Sequence, residues 1–401
     1  MLGLLVAYPF VYAALVNSPL GTEAETLLPR VQTMVAVLYF GLFAMSFDFV
    51  SGYTGYLSFG HAAFYGAGAY TVILAANGKL PLVGAATPFV VLLVVAGLVA
   101  LALALAIGAV SFRLTGVYFA MITLGFSQVL YVFVRDWDFV GSNPRDGPAV
   151  LNPDVSFQVG VPGVDALNLA IGSLAGDSVE GLFGVVSLST VEVSYYMVGL
   201  VVVVCYLAMR RMLHSPFGRT LIAIRENEER ARAVGYDTFR YKLGAFAASA
   251  FFAGVAGGLF AGFRRSVTPE STFYFLAAGD ALLASIIGGF GTLAGPLFGR
   301  LFDESVREFL SKGGEGGGLL PYLRTSLGEG VLGTELVGGL TVGGGIEAFL
   351  NGHAALYIGL LFVLFVLYVP NGLLGTLRDH LGGPVASELP RRLGLGLGWF
   401  R

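Results

Sequence analysis

Runs of about 20 apolar residues recur along this chain, matching the length a helix needs to cross the hydrocarbon core of a bilayer, and they restrict the possible folds more than any other feature. They occupy Val31–Val50, Leu57–Ala76, Pro88–Phe112, Val117–Val134, Val191–Met209, Leu243–Gly262 and Ala354–Val369. Met1–Val16 is a shorter run without a basic leading segment, and reads as an uncleaved first span rather than a signal peptide. Leu276–Phe290 is apolar and breaks at Gly288-Gly289-Phe290-Gly291. Composition points the same way. Charged residues are 12% of the 401 and hydrophobic residues 56%, whereas a soluble domain is about 25% charged. Such a chain cannot cover a water-facing surface. The expected fold is an all-α, polytopic helical membrane protein of about ten transmembrane helices, including a glycine-broken helix near residues 276–296, in a single transmembrane domain spanning 1–401. The net charge of −3 gives no footing for nucleic acid.

Leu297–Leu310 does not suit lipid. It carries Arg300, Asp303, Glu304, Arg307 and Glu308, yet Leu297, Phe298, Leu301, Phe302, Val306, Phe309 and Leu310 form an apolar stripe at helical spacing. Arg300/Glu304 and Asp303/Arg307 lie one turn apart and can pair. This helix should face protein or a water-filled cavity.

Basic residues set the expected orientation. Arg210–Lys242 holds eight of them, while the stretch from Arg135 to Glu192 holds Arg135 and Arg145 against eight acids. The segment 210–242 is therefore expected in the cytoplasm and 135–190 outside. The tail 379–401, with Arg391, Arg392 and Arg401, and the amino terminus are expected inside. That parity demands a crossing between Leu276–Phe290 and Ala354–Val369, supplied by Leu297–Leu310 or by Val331–Leu350. The glycine-rich stretch 311–353 reads as an external connection.

Within the basic loop, Glu226/Arg230 and Glu228/Arg232 have the favourable glutamate-first i,i+4 order, and Gly235 is placed to stop the helix. Asn227, Ala231 and Val234 would share one narrow face. Such a helix either is a solvated loop or seats in a groove of a cytoplasmic partner.

Here a resemblance enters. Glu229-Arg230-Ala231, followed three residues later by Gly235, resembles the loop by which ABC importer permeases engage their ATPase. The longer run from Ser215 to Gly235, continuing through Tyr241–Ala250, resembles branched-chain amino acid permeases of the LivM type. Three further blocks are similar to that family in order: Gly55–Tyr70, Arg113–Leu124 and Gly288–Pro296. A last one, Tyr368–Gly375, extends the resemblance to about residues 31–378. Tyr56, Ala294 and Arg300 depart from it, standing where glutamine, tryptophan and a small residue are expected. The resemblance implies ATPase coupling through Arg225, Glu226, Glu229, Ala231 and Gly235. It implies a second permease subunit, two ATPase subunits holding the ATP and Mg, and an external solute-binding protein. The implied solute is leucine, isoleucine or valine, or a relative such as urea or a short amide, and the implied place is the cell membrane.

Inside the spans, Ala62/Gly66 and Ala63/Ala67 are small-residue pairs suited to close helix contact. Ser58, His61, Tyr65 and Tyr70 either pack there or line a path. Asp48 and Asp280 are acids at membrane depth, which are costly and point to function. With Gly288 and Gly289 breaking the helix beside it, Asp280 could take a substrate ammonium while free backbone N–H groups take the carboxylate.

The chain has no Walker A motif; its Gly78-Lys79 pair is followed by Leu80. Its one cysteine, Cys205, excludes an internal disulfide. His61, His214, His353 and His380 are scattered, and no cofactor or metal is expected in this chain. The chain is read as non-catalytic. An ion-coupled secondary transporter using Asp48 and Asp280 is the alternative, and a membrane-embedded enzyme a third reading.

Overall fold

The computed structural model describes residues 2–18, 28–150 apart from 82, 85, 86 and 142, short strands between 157 and 189, all of 190–311, 327, 331–350 apart from 338 and 339, 354–369 and 372–376. The expected tail at 379–401 and parts of the 135–190 loop and of 311–353 lie outside the described residues.

The elements, in chain order, begin with α1 (Leu2–Val16), α2 (Val31–Thr54), α3 (His61–Ala76), α4 (Phe89–Ser111) and α5 (Val117–Arg135). Two hairpins follow, β1 (Phe157–Val159) with β2 (Leu169–Ile171) and β3 (Ser178–Leu182) with β4 (Val186–Ser189). Then come α6 (Thr190–His214), α7 (Pro216–Glu226), α8 (Glu228–Ala233), α9 (Thr238–Arg264), α10 (Pro269–Thr272), α11 (Phe275–Gly288) and α12 (Gly295–Ser311). A third hairpin, β5 (Glu335–Val337) with β6 (Leu340–Thr341), precedes α13 (Val342–Leu350) and α14 (Ala354–Tyr368).

Among the described residues, seven helical stretches are long and apolar enough to cross a membrane by length and composition: Val31–Thr54, Phe89–Ser111, Val117–Arg135, Thr190–His214, Thr238–Arg264, Pro269–Gly288 and Leu356–Thr376. Of the ten expected, α1, α3 and α12 fall short at 15, 16 and 17 residues. The expected Leu57–Ala76 helix starts only at His61, because Gly55 turns left-handed (φ 78°) and ends α2.

Helices α2 and α9 form the centre and are buried on nearly all sides. Outer helices divide by face. On α4, Leu92, Ala96, Ala100 and Ala104 point inward, while Val90, Val94, Leu98 and Leu105 are exposed. The exposed residues on α5, α6 and α14 are equally apolar: Met121, Val129, Leu200, Val204, Leu360 and Leu367. An apolar face left outside after the core is filled suits a hydrocarbon solvent.

Helix association without a hydrophobic drive needs close backbone approach. Of the small pairs foreseen at Ala62/Gly66 and Ala63/Ala67, Gly66 approaches a side chain rather than a backbone. A Cβ on Gly66 would meet the Phe273 ring at 2.7 Å. The backbone contact runs one step along, where a Cβ on Gly68 would strike the Gly254 carbonyl and one on Gly257 the Tyr65 carbonyl. Gly254 also lies against Ala96 and Ala100 of α4, so α9 presses on α3 and α4 at one level. Periodicity reveals small residues but not which of them meets a partner.

The connections sort onto two ends of the bundle. At one, Lys79 Nζ donates to the carbonyls of Phe139 (2.6 Å) and Val140 (3.0 Å), Asn77 reaches the Ala149 carbonyl at 2.9 Å, and Ala149 bridges Ser266. At the other, the Arg210–Lys242 segment meets Gly52 and Tyr56. The turn after α14 belongs to this second end, since a Cβ on Gly372 would abut Gly289. The ends of α11 and α14 therefore share a face, and one crossing must separate them. Helix α12 supplies it, packed against α2, α11 and α14. Val331–Leu350 forms a hairpin and a short helix instead. Both expected ion pairs on α12 are made, Arg300–Glu304 at 2.5 Å and Arg307–Asp303 at 3.0 Å.

Substituting Gly68 by valine should destabilise the detergent-solubilised protein by about 1–3 kcal/mol or more, the usual range for overpacking. Gly125→Ala, where a Cβ meets nothing within 4 Å, should be neutral or stabilising by up to about 1 kcal/mol. Thermal unfolding of both variants checks the pair. Equal melting temperatures would remove the α3–α9 contact as a determinant of the bundle.

Candidate functional site

The charged loop emerges from α6 through Ser215, and Pro216 opens α7 at the first helical position, where a missing N–H does no harm. Gly218, Thr220, Leu221 and Ile224 turn inward. Asn227 then adopts an extended conformation (φ −162°, ψ 101°) and its side chain accepts the Arg230 N–H at 2.8 Å, capping a new helix, α8. The single helix expected across 218–235 is thus two, and the break separates Glu226 from Arg230. Asn competes with the helical backbone for hydrogen bonds and favours a cap over a helix interior. The Glu228–Arg232 pair does form, at 3.1 Å. Gly235 stops α8 as expected, with φ 96°. Its N–H donates to the Arg232 carbonyl at 3.0 Å and that of Tyr236 to Ala231 at 3.2 Å, a paired closure that the left-handed glycine makes possible.

The module has an inward and an outward side. Glu228 is the inward anchor, and residue types alone did not single it out for this. Its carboxylate accepts from Lys242 Nζ at 2.7 Å, Tyr56 Oη at 2.8 Å, Thr238 Oγ1 at 3.0 Å and Arg232 at 3.1 Å. Lys242 is 3% exposed; its ammonium also donates to Tyr56 Oη at 3.0 Å and lies 4.6 Å from the Tyr56 ring centre. The Tyr56 ring packs edge-on against Phe112 and Phe119. One carboxylate therefore joins α8, the start of α9 and the loop leading into α3. Burial alone would raise the Glu228 carboxyl; the hydrogen bonds from Lys242 and Tyr56, the Lys242 charge and the Thr238 hydrogen bond outweigh it and hold the group below the usual carboxylate range. Tyr56 is one of the residues that depart from the resembled pattern; that departure and the expected Glu228/Arg232 pair were the traces of the node visible in the sequence.

Arg225 forms a second anchor, donating to the Gly52 carbonyl at the end of α2. Close by, Asp48 Oδ1 accepts the Gly291 N–H at 2.9 Å, tying the same helix to the turn between α11 and α12. A Cβ on Gly52 would sit 2.6 Å from this oxygen and 2.8 Å from Gly291 Cα. Ala231 is buried rather than sharing an outer face with Asn227 and Val234, which are exposed. Facing outward are Glu226, Glu229, Arg230, Val234 and Gly235. Beside them a cavity of about 440 Å³ lies among His214, Pro216, Arg219, Thr220, Ala223 and Tyr236.

Ser58, His61, Tyr65 and Tyr70 are all buried. His61 Nε2 is 2.6 Å from Ser249 Oγ, which donates to the Ser46 carbonyl at 2.5 Å. Tyr65 packs on Phe43 and Phe260, and Tyr70 on Phe273. Gly288 serves helix contact, since a Cβ there would strike the Gly295 carbonyl. Gly289 abuts Gly372, and the Gly291 N–H is taken by Asp48. Asp280 lies eight residues before Gly288, about 12 Å along a helix, and lines a cavity with Phe40, Arg135 and Glu270. The acid and the broken-helix backbone do not meet.

Residues 30–311, from the start of α2 to the end of α12, match the family described as "Branched-chain amino acid transport system / permease component". The chain belongs to this family. Two relatives are each the high-affinity branched-chain amino acid transport system permease protein LivM. That of Salmonella typhimurium strain LT2 is 32% identical over 273 residues, 67% of this chain and 60% of the relative. That of Escherichia coli strain K12 is 31% identical over 314 residues, 77% of this chain and 67% of the relative. The chain thus spans only about three fifths of the length of the first. No solved structure is a significant match. The matched stretch contains both anchors of the permease loop and the Asp280 cavity, and ends before the glycine-rich segment.

Because the Glu228 carboxyl titrates lower folded than unfolded, its contribution is present above the unfolded value of about 4.3 and is lost as pH falls through the folded value. Melting temperature should therefore fall on acidification below about pH 4.5, less steeply in Glu228→Gln. Lys242→Met should cost on the order of 2 kcal/mol at neutral pH through a charge left without its main partner, and Tyr56→Phe less. Unchanged melting in Lys242→Met would show the node to be incidental.

Proposed function

We propose that this chain is a membrane-spanning permease subunit of an ABC importer for branched-chain amino acids, moved by separate ATPase subunits that dock on α7 and α8. The observation that carries this reading is the division of the module, whose inner side is bonded to α2, to α9 and to the loop leading into α3 while its outer side presents Glu226, Glu229, Arg230 and Val234 bare. A lever must be fixed to what it moves and open to what pushes it. An ATPase pressing on α8 would pull through Glu228 on α3 and α9, and through Arg225 on α2, biasing the bundle between inward and outward states. Excess basic charge puts the module in the cytoplasm and the Lys79 end outside, where an external solute-binding protein would deliver the solute. A second permease subunit would cover part of the exposed apolar faces and lipid the rest. The chain performs no catalysis in this scheme, and ATP with Mg belongs to the partner subunits.

Gly235→Pro tests the docking. Proline cannot adopt φ 96° and lacks the N–H that closes α8. The expected result is loss of the ATPase subunits on co-purification, or ATP hydrolysis that no longer drives uptake. Glu229→Arg should weaken the same association while leaving the permease folded. If both variants retain stoichiometric ATPase and coupled uptake, the module is not the docking site.

A further inference from the structure

At the end of the bundle opposite the α7–α8 module, a cavity of about 650 Å³ opens between α2, α5, α10 and α11. That volume is in the range of small-molecule sites. Its charged lining residues are Arg135, at the end of α5, Glu270 on α10 and Asp280 on α11. Asp280 has Arg307 at 3.9 Å, but Arg307 is held more closely by Asp303 at 3.0 Å. The side chain of Asp280 stays 41% exposed, so its carboxylate has one distant cation and room for another. Arg135 leans on Tyr131, its guanidinium 5.9 Å from the ring centre and 3.5 Å from the hydroxyl. Phe40 and Leu276 supply apolar wall. Phe40 is itself propped by the Arg300 guanidinium 4.2 Å from its ring centre, which Asp303 and Glu304 hold in turn.

The signs decide the ligand class. The lining carries one guanidinium and two carboxylates, and Arg307 beside Asp280 is already held by Asp303, so the site offers separated charges of both signs. A phosphate or carboxylate ligand would meet two acids against one arginine, and a polyamine would meet that arginine. A molecule carrying one charge of each sign, with an apolar side chain, meets complementary groups on every side.

We propose that this cavity is the first binding site for a zwitterionic α-amino acid in this chain, with Asp280 receiving the ammonium, Arg135 the carboxylate, and Phe40 and Leu276 bounding the side chain. The assignment rests on reading the chain as an amino acid permease subunit. It also moves the carboxylate partner from the glycine-broken helix, which lies at the opposite end, to Arg135.

The experiment uses the full assembly, this chain with its partner permease, ATPases and binding protein, in proteoliposomes. Asp280→Asn and Arg135→Gln should each lower leucine uptake about tenfold, the size of one lost charge-assisted hydrogen bond, while ATPase co-purification stays unchanged. Asp280→Glu should retain part of the uptake. Because Asp280 also neighbours Arg307, a second measurement leaves every charge in place. Ser271, in the cavity lining, is replaced by cysteine, the native Cys205 being buried. Leucine should slow its labelling by a charged thiol reagent, and 4-methylpentanoate and isopentylamine, each lacking one charge, should not. Labelling at one rate with and without leucine, or uptake at the unmodified rate in both charge variants, overturns the site. If the unmodified assembly takes up no branched-chain amino acid, the functional reading itself fails.

Discussion

Lipid offers no hydrogen-bond partner to a peptide group, so a chain dissolved in it must satisfy its backbone internally. That constraint forces the apolar runs into helices. It also removes the force that joins helices in water, because a leucine is as well solvated by lipid tails as by another helix. What remains is contact, and contact needs small residues. Helix α9 lies against α3 and α4 because Gly68, Gly254 and Gly257 let backbones touch, and the aromatic core gathers around that crossing. Asp48, Lys242 and Arg300, all nearly or wholly buried, each have a hydrogen bond or ion pair within the bundle.

A consequence is that polar contacts cluster where helices begin and end, and there they join elements distant in sequence. Glu228 and Tyr56 are 172 residues apart, and Asp48 and Gly291 243 apart. The Arg225 and Glu228 links tie the charged module to the central helices α2 and α9 without a long lever arm. Rigid helices and a few buried charge-assisted hydrogen bonds suffice to make the module, α2, α9 and the loop leading into α3 one mechanical unit. The exposed side of the same loop has none of this internal bonding, which is what a docking surface requires.

Much of this was legible in the sequence because it depends on local periods and on composition. The apolar runs matched the helices in all but their ends. The alternation of basic and acidic loops matched the two ends onto which the structure sorts the connections. Gly235 was readable as a helix stop from residue type, and Arg300/Glu304 and Asp303/Arg307 from their spacing on α12. The break at Asn227 was not, since the i,i+4 charge pattern continues across it and outweighs one asparagine in any local count. The small-residue pairs of α3 were visible, but the residue meeting the partner backbone was Gly68, one step outside them.

The sequence by itself determined that the chain is a helical membrane protein with a basic loop between two spans, since hydropathy and charge are sums over neighbouring residues and need no partner. Only the tertiary structure decided which side of that loop is anchored, that α12 rather than 331–350 crosses back, and that Asp280 faces Arg135 across a cavity instead of the glycine-broken turn. Those outcomes turn on helix rotation and crossing, where a step of one residue moves a side chain by about 100° around the axis. No local pattern specifies that angle; packing against the other helices does.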